Sequence, residues 1–307
     1  MTTITLRARA KINLTLDVGA RRPDGYHDIR SVMQTVGLYD VLHVTHTPEL
    51  PGVRLKVTGP EWSGVPADET NLVHRAAVRV QKVAAARGGL PGDQSGLDIT
   101  LEKHIPSQAG LGGGSSDAAA ALKAAAALFD LRFSAHRLAE IGAALGADVP
   151  FFLSGGTALV EGLGERVTPL PPLSPAWWLV LVKPPVGVST AAAYAALDAL
   201  PGRPAGSASA GWLDGRQRPG NDFEAVILPA YPPVATAHHL LAETTGPDES
   251  FRPLLCGSGA ALFQRAASAQ DARCVAARVE AKALGKAWVT RTEGPGSEEA
   301  ENWEPSQ

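Results

Sequence analysis

Between Ile105 and Phe129 the chain runs Ile-Pro-Ser-Gln-Ala-Gly-Leu-Gly-Gly-Gly-Ser-Ser-Asp and then turns alanine-rich. This segment, Pro106-x-x-x-Gly110-Leu-Gly-Gly-Gly-Ser-Ser-Asp117, restricts the local fold more than any other. Consecutive glycines let the backbone bend with positive φ and come close to a ligand. The alanines predict a helix over about Ala118–Phe129. A helix start presents unpaired N–H donors and a partial positive charge, which suits a phosphate. Ser115 and Ser116 add hydroxyls for phosphate or for a bound Mg²⁺. No Gly-Lys-Ser/Thr closes the loop, so it is not a Walker A motif. The plainer alternative is a hinge with Ser116 or Asp117 as an ordinary helix cap.

From Leu6 to Asp17 the residues alternate strictly, with Leu6, Ala8, Ala10, Ile12, Leu14 and Leu16 on one face and Arg7, Arg9, Lys11, Asn13, Thr15 and Asp17 on the other. Period two predicts a half-buried strand, ended by the Pro23-Asp-Gly25 turn. Further strands are expected at Ile29–Val36, Asp40–Thr45, Val53–Val57 and Leu97–Leu101, and a hairpin at Thr157–Val160 and Glu165–Leu170. Helices are expected over Asn71–Arg87, broken by Gly88–Gly92, and over Ala135–Leu145. The proline-rich Pro169–Pro175 marks a domain boundary. After it come a strand at Trp177–Val182, a loop over Pro201–Gly220, and a β-α-β ending (Ala260–Phe263, Ala269–Leu284, Ala287–Thr290). The expected division is residues 1–170, residues 171–291, and an acidic, disordered tail over 292–307. Mixed strands and helices without regular alternation point to α+β.

Composition narrows the function. The 307 residues suffice for about two domains at roughly 150 residues each. Of them 28 are basic and 31 acidic, a formal net charge of −3. Such a surface does not favour non-specific nucleic-acid binding. The two cysteines, Cys256 and Cys274, have no CxxC spacing, so a disulfide framework or zinc cluster is not expected and a reducing, cytoplasmic setting is. No apolar run reaches the ~18 residues of a membrane helix, and no cationic stretch leads into an apolar one at the start.

Four separated segments together resemble the GHMP kinases: Ala10-Lys-Ile-Asn-Leu14, Arg22-Pro-Asp-Gly-Tyr-His27, Ala109-Gly-Leu-Gly-Gly-Gly-Ser-Ser-Asp-Ala118 and Gly146-Ala-Asp-Val-Pro-Phe-Phe152. Asn221-Asp-Phe-Glu224 and Gly257-Ser-Gly259 match more weakly, so the resemblance spans about residues 5–290. Gln108 stands where the family usually has a small residue, and Cys256 where Ser or Thr is usual. The resemblance implies a two-domain α+β architecture, an N-terminal domain like domain 2 of ribosomal protein S5 and a ferredoxin-like C-terminal domain. The branch it most resembles phosphorylates a cytidyl diphosphate methylerythritol on its 2-hydroxyl, with ATP and Mg²⁺, as a monomer or homodimer.

By that resemblance Asp148 receives the hydroxyl proton, with Lys11 beside it to keep the carboxylate ionised and polarise the acceptor oxygen. ATP lies along Pro106, Ala109, Gly110, Leu111, Gly112, Gly113, Gly114, Ser115 and Ser116, with Asn71 and Leu72 near adenine and Lys103 flanking the nucleotide. The acceptor is held by Asn13, Tyr26, His27, Thr190 and Tyr194, with Tyr26 stacking on the cytosine, His27 bonding its edge and Tyr194 as a second aromatic wall. No protein metal cage is expected, since Mg²⁺ usually arrives with the nucleotide. His43-x-x-His46, on a strand, points its rings to opposite faces, and simple exposure is the reading there and at His238-His239. Two other functions remain open: a GHMP kinase for another alcohol, such as homoserine or a mevalonate derivative, and a catalytically silent nucleotide-binding module.

Overall fold

The computed structural model describes residues 2–86, 96–202, 206–215, 219–244 and 251–296. The first elements are β1 (Thr3–Arg21), β2 (His27–Thr47), β3 (Val53–Thr58), α1 (Leu72–Ala86), β4 (Gly96–Glu102), α2 (Gly113–Leu128), α3 (Ala135–Ala143), α4 (Val149–Ser154), β5 (Thr157–Gly162) and β6 (Arg166–Pro169). There follow β7 (Trp178–Lys183), α5 (Thr190–Asp198), α6 (Ala208–Leu213), β8 (Gly220–Asn221), α7 (Glu224–Ala230), α8 (Pro232–Glu243), β9 (Leu254–Leu255), β10 (Leu262–Ala266), α9 (Ala269–Ala281) and β11 (Lys286–Arg291).

The first sheet has the order β3-β4-β2-β1-β8, with β5 on β2 and β6 on β5. The second is β11-β7-β10-β9, with β7 antiparallel to both β10 and β11. Its strands follow β-α-β-β-α-β order, the split βαβ topology of ferredoxin-like domains. The α+β class and the expected architecture hold.

β1 departs from the half-buried expectation. Its polar face is buried as well, with Lys11 4%, Asn13 1%, Thr15 0% and Asp17 6% exposed. The loop at Gly257 and α6 cover what a lone sheet would leave to water, meeting Asn13, Thr15 and Asp17. The runs Ile29–Val36 and Asp40–Thr45 are one strand, β2, rather than two. Opposite Arg9 and Lys11 its register skips from Tyr39 to Thr35, so the chain bulges around Gly37 and changes partner, from β5 to β4.

α2 starts at Gly113, five residues before the expected Ala118. Its alanines bring it close to the sheet: Ala118, Ala121, Ala124 and Ala125 pack in one apolar cluster with Leu42, Ile99, Leu101 and Phe151. Burying a side chain such as Phe151 fully contributes about 1.5–3 kcal/mol. A second cluster joins the sheets, with Ala10, Ile12 and Leu14 of β1 packed with Leu179, Leu181 and Phe263.

Pro201–Gly220 is not all loop. α6 forms within it because Ser209 is pulled against β1: its N–H donates to Asp17 Oδ2 at 2.9 Å and its hydroxyl lies 2.7 Å from Thr15 Oγ1. Residues 203–205 and 216–218 of that stretch lie outside the described residues, as do Gly88–Gly92. The expected tail begins docked. Thr292 Oγ1 accepts from Trp177 N at 2.9 Å, and Glu293 N donates to Thr35 O at 3.0 Å. Residues 297–307 are outside the described set.

Candidate active site

The glycine-rich loop is laid directly against β1. Lys11 N donates to Leu111 O at 3.0 Å, so the loop continues the strand's own hydrogen bonding. On its other flank, Ala261 N donates to Ala109 O at 3.1 Å. Gly110 (φ 74°) lies so near this flank that a Cβ there would collide with the Cys256 carbonyl oxygen. Gly112 caps α2 at φ 73°, with no side chain bonding the helix start. Neither Ser116 nor Asp117 is the cap. Both lie inside the first turns and are buried. The first N–H groups of a sixteen-residue helix are therefore left uncapped by side chains, beside a half-buried Ser115. This is an anion cradle in the physical sense.

Beneath it lies a buried charge cluster. Lys103 Nζ bonds Asp40, and Asp117 Oδ2 at 2.8 Å. Burial works against the Lys103 cation, but Asp117 and Asp40 outweigh it and raise its pKa. Burial, with Asp40 nearby, pushes the Asp117 carboxyl well up although Lys103 pulls it down. Asp40 also accepts from His104 N and Ile105 N, at 2.5 and 2.8 Å, and so pins the residues leading into Pro106. Lys103, expected to flank the nucleotide, braces the loop from below, its Nζ 3.3 Å from where a Gly113 Cβ would stand. Asn71, expected near adenine, caps α1: Oδ1 accepts from Val73 N at 2.9 Å and Nδ2 donates to Pro66 O at 2.6 Å. Leu72 borders Gly114. A groove of about 560 Å³ opens beside Pro106, walled by Pro60, Glu61, Lys183, Pro184 and Lys286; Lys11 and Asp148 lie outside it.

On the far side of the loop, Lys11 Nζ stands 3.8 Å from Asp148 Oδ2. Nζ also donates to Asn13 Oδ1 at 2.7 Å, which accepts at the same time from Gly257 N at 2.9 Å. Asn13 Nδ2 donates to Ser31 Oγ at 2.8 Å, so the amide is held at both ends. The neighbouring Cys256 thiol is pushed up to about 12 by burial, against the pull of Lys11, and remains a neutral filler.

From Lys11 a line of contacts leads to the aromatic residues. Gly257 adjoins Lys11, the Ser258 hydroxyl is 3.1 Å from Thr190 Oγ1, and Thr190 is one turn from Tyr194 on α5. Tyr194 stacks on His27 at 4.8 Å and 25°, with Phe223 edge-on behind it at 4.9 Å. His27 Nε2 is 2.7 Å from Asp198 Oδ1. Tyr26 is 64% exposed and touches none of these rings. The structure thus links Lys11, Asn13, Asp148, Thr190, Tyr194 and His27 in one run of contacts beside the loop, and Tyr26 adjoins it only through its place next to His27 in the chain.

Sequence reasoning missed Asp40, Ser31 and Asp198. Asp198 had a usable signal, standing four residues after Tyr194, on the same helical face. Of the histidines read as exposed, His239 is, at 80%, while His43, His46 and His238 are only partly so. His43 Nδ1 is 2.9 Å from Thr5 Oγ1, His46 meets Phe129 edge-on, His238 Nε2 is 3.1 Å from Pro253 O, and His239 pairs with Glu243 at 3.2 Å.

The family model described as GHMP kinases N terminal domain matches residues 71–156. A 4-diphosphocytidyl-2-C-methyl-D-erythritol kinase from Moorella thermoacetica is 45% identical, over 95% of this chain and 100% of that one. A crystal structure of 4-(cytidine 5'-diphospho)-2C-methyl-D-erythritol kinase superposes with a TM-score of 0.74 at 33% identity, covering 95% of this chain and 100% of that one. A homoserine kinase from Cytophaga hutchinsonii superposes at 0.69 and 18% identity over 96% of each chain, a likeness of fold alone.

Proposed function

Because the chain belongs to the 4-diphosphocytidyl-2-C-methyl-D-erythritol kinases of the GHMP family, we propose that it moves the terminal phosphoryl group of ATP onto the 2-hydroxyl of 4-diphosphocytidyl-2-C-methyl-D-erythritol. The products are the 2-phosphate and ADP, within the non-mevalonate route to isoprenoid precursors. The observation that carries this reading is the unbroken line from the uncapped start of α2, through Lys11 and Asp148, to the stacked His27 and Tyr194.

Phosphoryl transfer needs alignment, charge neutralisation and a place for the hydroxyl proton. The N–H groups of Gly113, Gly114 and Ser115 hold the phosphates. Lys11 faces the acceptor oxygen and draws charge from it, while Asn13 keeps the ammonium aimed. Asp148 takes the proton at Oδ2. The carboxylate is 28% exposed against 4% for Lys11, so it is the member of the pair that an incoming alcohol reaches. His27, Tyr194 and Tyr26 hold the cytosine, and Thr190 lines the route between.

Mg²⁺ is proposed to arrive with ATP. Among the described residues no three His, Cys, Asp or Glu side chains are grouped as metal ligands. The fitting protein oxygen is the half-buried Ser115 hydroxyl at the helix start, other ligands coming from phosphate and water. The bound cation would offset phosphate charge. No helix among the described residues is long and apolar enough to cross a membrane. A cytoplasmic enzyme acting as monomer or homodimer fits the chemistry of its substrates.

A coupled ADP-release assay tests the reading. Turnover with the cytidyl acceptor and none with homoserine is expected. The reverse preference, or tight binding of both ligands without ADP, would overturn it.

A further inference from the structure

His27, Tyr194 and Asp198 form a unit that phosphoryl transfer itself does not use. Tyr194 and Asp198 project from one face of α5. Tyr194 covers the imidazole plane and Asp198 Oδ1 takes its Nε2 edge. Asp198 Oδ2 stands 4.0 Å from Arg21 Nε, and the His27 side chain is only 5% exposed. Phe223 braces Tyr194 from behind. The ring is held in one orientation by a carboxylate that is itself held.

We propose that Asp198 is a positioning residue which keeps the hydrogen of His27 on Nε2, leaves Nδ1 as an acceptor, and so makes the acceptor pocket prefer a base with an exocyclic amino group over one with a keto oxygen. This rests on the cytidyl reading above and extends it to the choice of base. A neutral imidazole carries one hydrogen on its two nitrogens. An ionised carboxylate only accepts, so the shared hydrogen belongs to Nε2, and the partner of one nitrogen sets the state of the other. No described residue bonds Nδ1. Its lone pair matches the 4-amino donor of cytosine and opposes the lone pairs of the 4-keto oxygen of uracil. A site built around a hydrogen bond discriminates strongly against a ligand that leaves its polar group unmatched.

The test measures kcat/KM for the cytidyl acceptor and its uridyl counterpart in wild type, Asp198→Asn and Asp198→Ala, with ¹⁵N spectra of the His27 ring. Wild type should favour the cytidyl form by about tenfold or more, and Asp198→Ala should shrink that ratio about tenfold, through the acceptor KM and not the KM for ATP. Asp198→Asn keeps an oxygen for Nε2 and should retain most of the preference. The wild-type spectrum should show Nε2 protonated and Nδ1 bare. A ratio unmoved by Asp198→Ala, or a hydrogen on Nδ1 in wild type, would overturn the proposal. If Asp198→Ala does not fold, the protonation state of the two ring nitrogens in the wild-type spectrum still decides. A wild type that phosphorylates neither acceptor sinks the cytidyl reading and this proposal with it. Normal cytidyl turnover with unaltered selectivity in Asp198→Ala sinks this proposal alone.

Discussion

Asp148 Oδ2 faces Lys11 Nζ across 3.8 Å, beyond a direct hydrogen bond and within ion-pair range. The separation leaves both groups able to share an incoming hydroxyl. Replacing Asp148 by Asn removes the proposed proton acceptor but keeps size and polarity. Turnover should fall by about 10²–10⁴-fold, the usual contribution of a general base. Calorimetric affinity for a non-hydrolysable ATP analogue should stay within about twofold. An active Asp148→Asn enzyme would remove the carboxylate from the proposed step.

Two glycines of one loop should respond oppositely to alanine. At Gly110 a methyl group would strike the Cys256 carbonyl, which is backbone and cannot swing away, and φ is 74°. Gly110→Ala should destabilise by about 2 kcal/mol or more and raise the KM for ATP. At Gly114 the nearest atom to an added Cβ is Leu72 Cδ1 at 3.8 Å, and the residue is helical. Gly114→Ala should leave the melting temperature level or raise it, since alanine gains about 0.5–1 kcal/mol over glycine within a helix. Thermal melts of the two variants check the contrast.

Glu224, near the start of α7, accepts from Leu255 N at 2.9 Å, yet burial lifts its pKa from 4.5 to about 7. Below pH 4.5 the folded and unfolded chains both carry the proton. Between 4.5 and about 7 only the unfolded chain releases it, so stability falls as pH rises, and above 7 the loss is complete. Glu224→Gln should flatten that slope and exceed wild type in stability at pH 8 by about 1–3 kcal/mol. Urea titrations at several pH values measure it. A wild-type slope of the opposite sign would contradict the assignment.

Tyr26, 64% exposed and next to His27 in the chain, has little to do for the fold. Tyr26→Ala should leave the melting temperature nearly unchanged while raising the KM for the cytidyl acceptor, by the about 1–3 kcal/mol that base stacking is worth. An unaltered KM would take the ring out of the acceptor pocket.

Those features lay in the sequence to the extent that short-range rules govern them. The alternation of β1, the hairpin of β5 and β6 and the closing β-α-β were readable because periodicity and turn residues encode them locally. The start of α2 was misplaced because glycine and serine are weak helix formers taken singly, and the left-handed Gly112 shows itself only when the backbone is built. Burial on the polar face of β1 was invisible, since it comes from residues near 209 and 257. Asp40 and Asp198 were missed for a related reason: their partners are 63 and 171 positions away, and no local pattern marks a carboxylate that will meet a lysine or a histidine across the fold.

The main-chain bond from Lys11 to Leu111 has a mechanical consequence. In the proposed reaction the cation beside the alcohol and the amides cradling the triphosphate are both surveyed from a single point on β1. A displacement of α5, which carries Thr190 and Tyr194, would then leave the gap the phosphorus atom must cross in the proposed reaction at its length, since neither end of that gap sits on this helix. A kinase wired this way tolerates a loose grip on its acceptor's far end without misaiming the transfer.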